Sequence, residues 1–196
     1  MAKKQQKDAS KHSKEKLVES ALEIAAREGW QNLTLAGLAK ANKTTLAALH
    51  EHFEDKGDIL AALGRMIDKQ VLEAAGEPDP ELSPRDRLFD LLMERYEALN
   101  EYRPGLISVL ESFKSDPKQI FIGLPHLCKS MNWMLEAAGQ DSNGWDGALR
   151  LAGLTGLYIK NLRVWAGDES ADLAKVMAAL DKDLGRAESL AKSIGL

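Results

Sequence analysis

The chain has 196 residues, 44% of them hydrophobic and 29% charged, with a formal net charge of −4. That mix fits one globular domain, or a compact domain with a small head, and excludes a largely disordered chain. No uncharged stretch approaches the ~20 apolar residues of a membrane-spanning helix. The lysine-rich start lacks the apolar core of a secretory signal. Cys128 is the one cysteine and cannot form an internal disulfide, so a cytoplasmic setting is expected.

The charge is unevenly spread. Residues 1–14 hold five lysines against one aspartate, whereas residues 15–60 carry a balance of −3. Attraction to phosphate would therefore come from the tail and a few placed residues rather than from the average field.

Helical periodicity runs through nearly the whole chain, and strand signals are almost absent. The first twelve or so residues read as a mobile lysine-rich arm. Leu17, Val18, Ala21, Leu22, Ile24 and Ala25 define one buried helix face, which Gly29 ends. Thr34 is placed to cap a short second helix with Leu35, Leu38 and Ala39 inward. Asn42-Lys43 reads as a turn, with Asn the residue that tolerates left-handed geometry. Thr44 or Thr45 caps a third helix carrying Leu46, Leu49 and Phe53, and Asp55 caps a longer fourth.

The stretch Gly76-Glu77-Pro78-Asp79-Pro80 is the clearest break, and Ser83-Pro84-Arg85-Asp86 is a strong helix start. Pro104 opens a sixth helix. Pro117 opens a seventh, which Gly123 and Pro125 should break or kink. Residues Trp145 to Trp165 form an eighth rich in small side chains, and the last runs from about Asp172 to Ser193. The expected fold is all-α, about nine helices, with a helix-turn-helix head on a helical body.

Residues 14–60 resemble the DNA-binding head of the TetR family of transcriptional regulators. The matching residues are Ala21-x3-Ala25, Gly29-Trp30, Thr34-Leu35, Leu38-Ala39, His52-Phe53-x-x-Lys56 and Ile59-Leu60. The resemblance implies a 1–13 arm, a 14–56 head and a 57–196 ligand and dimerisation body. It implies operator DNA as partner, a small apolar ligand, and a homodimer. Thr34, Lys43, Thr44, Thr45, His50, His52 and Lys56 are the implied DNA-contacting residues, although the three threonines read equally well as ordinary caps. The chain departs from the family pattern at Lys43, where a Gly is usual, and at Thr44, where a Val is usual. On the recognition helix only Thr45 and His50 keep polar groups; Leu46, Ala47 and Ala48 can touch thymine methyls and little else.

Three body segments, Pro84 to Met93, Ser130 to Leu135 and Met177 to Asp181, are similar to a TetR-fold branch of lipid-binding accessory proteins in ubiquinone biosynthesis. The alternative function is therefore a lipid or isoprenoid carrier that does not bind DNA.

In the body, Phe89, Met93, Tyr96, Phe113, Phe121, His126, Met131 and Met134 are candidates to line an apolar pocket. Ala152, Gly153 and Gly156 allow close helix approach, and with Val176, Met177 and Leu180 they form a candidate dimer surface. His50 and His52, like His126 and Cys128, are two residues apart and point to different helix faces, so no metal is expected. No Gly-rich phosphate loop follows a strand and no G-x-S-x-G elbow occurs, so neither a cofactor nor catalysis is expected.

Overall fold

The computed structural model describes the backbone of residues 2–76, 81–116 and 118–194, and their side chains outside 2–13, 119–121 and 194. Among the described residues there are nine α-helices and no strand. They are α1 (Ala2–Glu28), α2 (Leu35–Ala41), α3 (Leu46–His50), α4 (Lys56–Ala75), α5 (Pro84–Asn100), α6 (Arg103–Ser115), α7 (Lys118–Ala137), α8 (Gly144–Ala166) and α9 (Ala174–Ile194). A single 3₁₀ turn, Trp30–Asn32, joins α1 to α2.

The expected caps are present. Thr34 Oγ1 accepts from the N–H of Gly37 at 3.0 Å, and Thr45 Oγ1 from that of Ala48 at 3.1 Å. Asp55 accepts from the N–H of Asp58 at 3.1 Å, while Asp58 reaches back to the N–H of Glu54 at 2.7 Å, a reciprocal box that starts α4. Ser83 caps α5 through the N–H of Asp86.

Several boundaries differ from the periodicity. Helix α1 extends back to Ala2, since the arm holds good helix formers and neither Gly nor Pro. Helix α3 stops at His50, because the N–H groups of His52 and Phe53 both bond to the Leu49 carbonyl and turn the chain. Phe53 is buried from that turn rather than from the helix. Helix α7 continues through Pro125, which is exposed, so it is not broken there. Helix α9 begins at Ala174, two residues late, because Leu173 is held at φ 52°. Most of the Gly76–Pro80 break and Pro117 lie outside the described residues.

The chain forms two compact units: Met1–Met66 with Glu101–Pro125, and Ile67–Asn100 with His126–Leu196. In the first, Val18, Ala21, Leu22 and Ala25 of α1 are buried together with Trp30, Leu38, Leu49, Phe53 and Ile59. Helix α6 packs on α1 so tightly that a Cβ on Gly105 would lie 2.5 Å from the Leu22 carbonyl oxygen. The N–H of Trp30 donates to Ser108 Oγ of α6 at 2.8 Å. The head is thus completed by a helix distant in sequence.

In the second unit the buried apolar residues include Leu92, Tyr96, Met131, Met134, Tyr158, Trp165 and Leu180. A charged cluster is buried among the helices of this unit. Arg95, 3% exposed, pairs with Asp68 and donates Nε–H to Tyr158 Oη at 3.1 Å, and Ser130 donates to Asp68 at 2.7 Å. Tyr96 stacks on Tyr158, ring centres 5.1 Å apart, and donates to its carbonyl at 3.1 Å. Burial works against the Arg95 charge, but Tyr158 and Asp68 outweigh it and raise its pKa. Burial pushes the Tyr96 hydroxyl well above the usual range.

Candidate nucleic-acid interface

The helix-turn-helix is α2, the turn Asn42–Thr45 and α3. The chain turns in two steps. The N–H of Lys43 bonds to the Lys40 carbonyl and that of Thr44 to the Ala39 carbonyl. The left-handed residue is Lys43, at φ 52°, and not Asn42, whose φ is −92°. Asn42 instead ties the turn down, its amide donating to Ser20 Oγ of α1 and to the Leu38 carbonyl, both at 2.9 Å. Lys43 is left exposed at the apex.

The implied contact residues fall into two groups. Thr34, Lys43, Thr45 and His50 are exposed, and Thr44 and His52 are half-buried. Lys56 differs. Its ammonium donates to the Trp30 carbonyl at 2.8 Å and the Leu33 carbonyl at 3.0 Å, and lies 5.2 Å above the Trp30 ring. Gly29, at φ 90°, opens the 3₁₀ turn whose Trp30 carbonyl Lys56 takes. Burial lowers the pKa of this ammonium. It fastens the start of α4 to the loop before α2, with two of its three N–H groups occupied.

One signal was available in the sequence and was not read from it. From Gly29 to His50 there is no Asp or Glu, in a chain that has 30 of them. That whole stretch carries Lys40 and Lys43, both exposed, and no carboxylate to repel a phosphate. Leu46 is 54% exposed at the head of α3, and Ala47 beside it is also exposed.

The candidate pocket residues are not brought together as one set. Met93, Tyr96, Met131 and Met134 are buried in the second unit, where Phe89 is half-buried and His126 is exposed. Phe113 belongs to the first unit, and the Phe121 side chain lies outside the described residues. The second unit carries a surface cleft of about 290 Å³, lined in part by Val71, Ala74, Leu82, Arg87 and Asp90, and by none of those candidates.

The candidate dimer residues divide. Ala152, Gly153 and Gly156 of α8 and Met177 of α9 are exposed, continuing a face that holds Leu149 and the 83%-exposed Trp145. Val176 and Leu180 are buried within the chain. Between α8 and α9, Asn161 donates to Asp183 at 2.9 Å, and Lys160 to the same carboxylate at 2.6 Å.

Residues 13–63 match the family model described as bacterial regulatory proteins, tetR family. No curated protein matches the chain by sequence. In fold, the chain is similar to a TetR transcriptional regulator from Nitrosomonas europaea ATCC 19718. That pair shares 21% identity and a TM-score of 0.71, over 90% of this chain and 98% of the other. A TetR transcriptional regulator from Rhodococcus sp. RHA1 follows at 17% identity and TM-score 0.59, covering 91% and 97%. A TetR variant from Acinetobacter baumannii AYE, solved in complex with minocycline, is 19% identical at TM-score 0.50, covering 89% and 96%. The chain therefore joins a head that matches the tetR family in sequence, residues 13–63, to a whole-chain fold like that of solved TetR regulators.

Proposed function

We propose that this chain is a cytoplasmic transcriptional regulator of TetR type, a homodimer that represses by placing two heads in successive major grooves of an operator. The observation that carries the reading is the tetR-family match over residues 13–63, in which the helix-turn-helix holds exposed Lys40 and Lys43 and no carboxylate. The exposed face of α8, with Ala152, Gly153, Gly156 and Met177 of α9, supports pairing of two copies.

A small apolar ligand in the second unit shifts the dimer toward a form with weaker DNA affinity, a coupling of ~1–3 kcal/mol. Support for that step comes from α4, which belongs to both units and carries Asp68 of the buried charged cluster. A solved fold neighbour is a complex with minocycline, which supports a small-molecule ligand without naming it. The lipid-carrier alternative has no comparable support, since the solved fold neighbours are TetR transcriptional regulators.

Nuclease footprinting of the DNA upstream of the gene tests the proposal. Protection of two adjacent segments about one helical turn apart is the expected result. Uniform cleavage at protein concentrations in the micromolar range would reject it.

A further inference from the structure

We propose that the head selects its operator through the 5-methyl groups of thymine, read in the major groove by Leu46 and Ala47. The inference rests on the DNA-binding reading above and states what that DNA must contain.

Helix α3 offers little to hydrogen-bond a base. Of its five residues, Leu46 to His50, only His50 has a polar side chain. Thr45 precedes it; its Oγ1 accepts from the Ala48 N–H, which leaves its O–H able to donate one hydrogen bond. Leu49 is buried in the head. The exposed side chains of the helix are therefore Leu46, Ala47 and His50.

An A·T pair shows the major groove a methyl group beside its acceptors and donor, whereas a G·C pair shows two acceptors and a donor with only a C5–H in place of the methyl. Leu46 and Ala47 gain by covering a methyl. Set against guanine O6 and N7, or cytosine N4, they would strip water from polar groups and return no hydrogen bond. The same two side chains therefore favour thymine and penalise G·C. Charge complementarity places phosphate beside them. Lys40, in the last turn of α2, and Lys43, in the turn leading into α3, are exposed, and no carboxylate lies between Gly29 and His50.

The test starts from a random-sequence duplex library selected on the intact protein at physiological salt. Single thymines in the enriched duplex are then replaced by deoxyuridine, which removes only the methyl. The expected result is one or two positions per half-site at which deoxyuridine weakens binding about fourfold each, the worth of burying one methylene-sized group. Leu46→Ala should remove the sensitivity at the position Leu46 covers and leave any position covered by Ala47, while the protein stays folded, since Leu46 is exposed. At those positions 5-methylcytosine should bind better than cytosine.

Enriched duplexes indifferent to every deoxyuridine would overturn methyl reading and leave sequence-specific DNA binding standing. Sensitivity unchanged at every position in Leu46→Ala would overturn the assignment to this residue. No enrichment at all would overturn both the inference and the regulator reading beneath it.

Discussion

Lys56 and Lys43 are both cations of the head, and the structure gives them different work. Lys56 spends its ammonium on the carbonyls of Trp30 and Leu33. Replacing it by Ala leaves both carbonyls short of a donor and should cost ~1–3 kcal/mol of head stability. A lower thermal midpoint, with an unchanged salt dependence of DNA binding, is the expected pair of readings. Lys43 stands exposed at φ 52°, a conformation that costs a non-glycine residue ~1–2 kcal/mol. Lys43→Gly should raise stability by about 1 kcal/mol and lower the salt slope of DNA binding by ~1. Denaturant titration and binding at a series of salt concentrations would check both. Gly105 is fixed by its neighbour. A Cβ there meets the Leu22 carbonyl oxygen at 2.5 Å, and backbone cannot step aside as a flexible side chain would. Gly105→Ala should therefore destabilise the first unit by ~1–3 kcal/mol or more, visible in chemical denaturation.

At the scale of elements, α4 and α5 are joined by a buried pair rather than by apolar packing alone. Removing one partner, as in Asp68→Ala or Arg95→Met, strands the other charge and should cost ~3–5 kcal/mol. The double variant Asp68→Leu with Arg95→Met should recover much of that loss in a double-mutant cycle by denaturation. The start of α9 depends on Asp168. Burial works to raise its pKa, but the Ser170 hydroxyl and the N–H groups of Val176, Ser170 and Lys175 outweigh that and hold it at about 2. Its folded value lies below the ordinary 3.8, so its contribution is present above that value and is lost as pH falls from about 4 toward 2. The stability gap between the wild-type protein and Asp168→Asn should therefore narrow over that acid range. The caps at Thr34, Thr45, Asp55 and Ser83 were legible because each acts on its own helix, within three residues. The Asp68–Arg95 pair was not, since either residue alone reads as a surface charge and only the fold brings them together. The role of Lys56 was hidden for a related reason: its partners are backbone carbonyls in a 3₁₀ turn that leaves no mark in residue spacing.

For the whole molecule, periodicity gave the all-α fold and helix count, because each helix has its own apolar face. It did not show that α6 completes the head, since the contact of Gly105 with Leu22 depends on closeness rather than pattern. The candidate pocket was equally hard to read: Met and aromatic side chains at helical spacing serve a packed core as well as a cavity, and several here are fully buried. Function turns on the head. Its residues 13–63 match the tetR-family model, and the exposed side chains of its α3 are Leu46, Ala47 and His50. A fluorescence anisotropy titration of the fragment upstream of the gene against a scrambled fragment, at physiological salt, puts the two together. Nanomolar binding of the upstream fragment, at least a thousandfold tighter than the scrambled one, is the outcome this account predicts. Weak binding, equal for both fragments and abolished by salt, would contradict it.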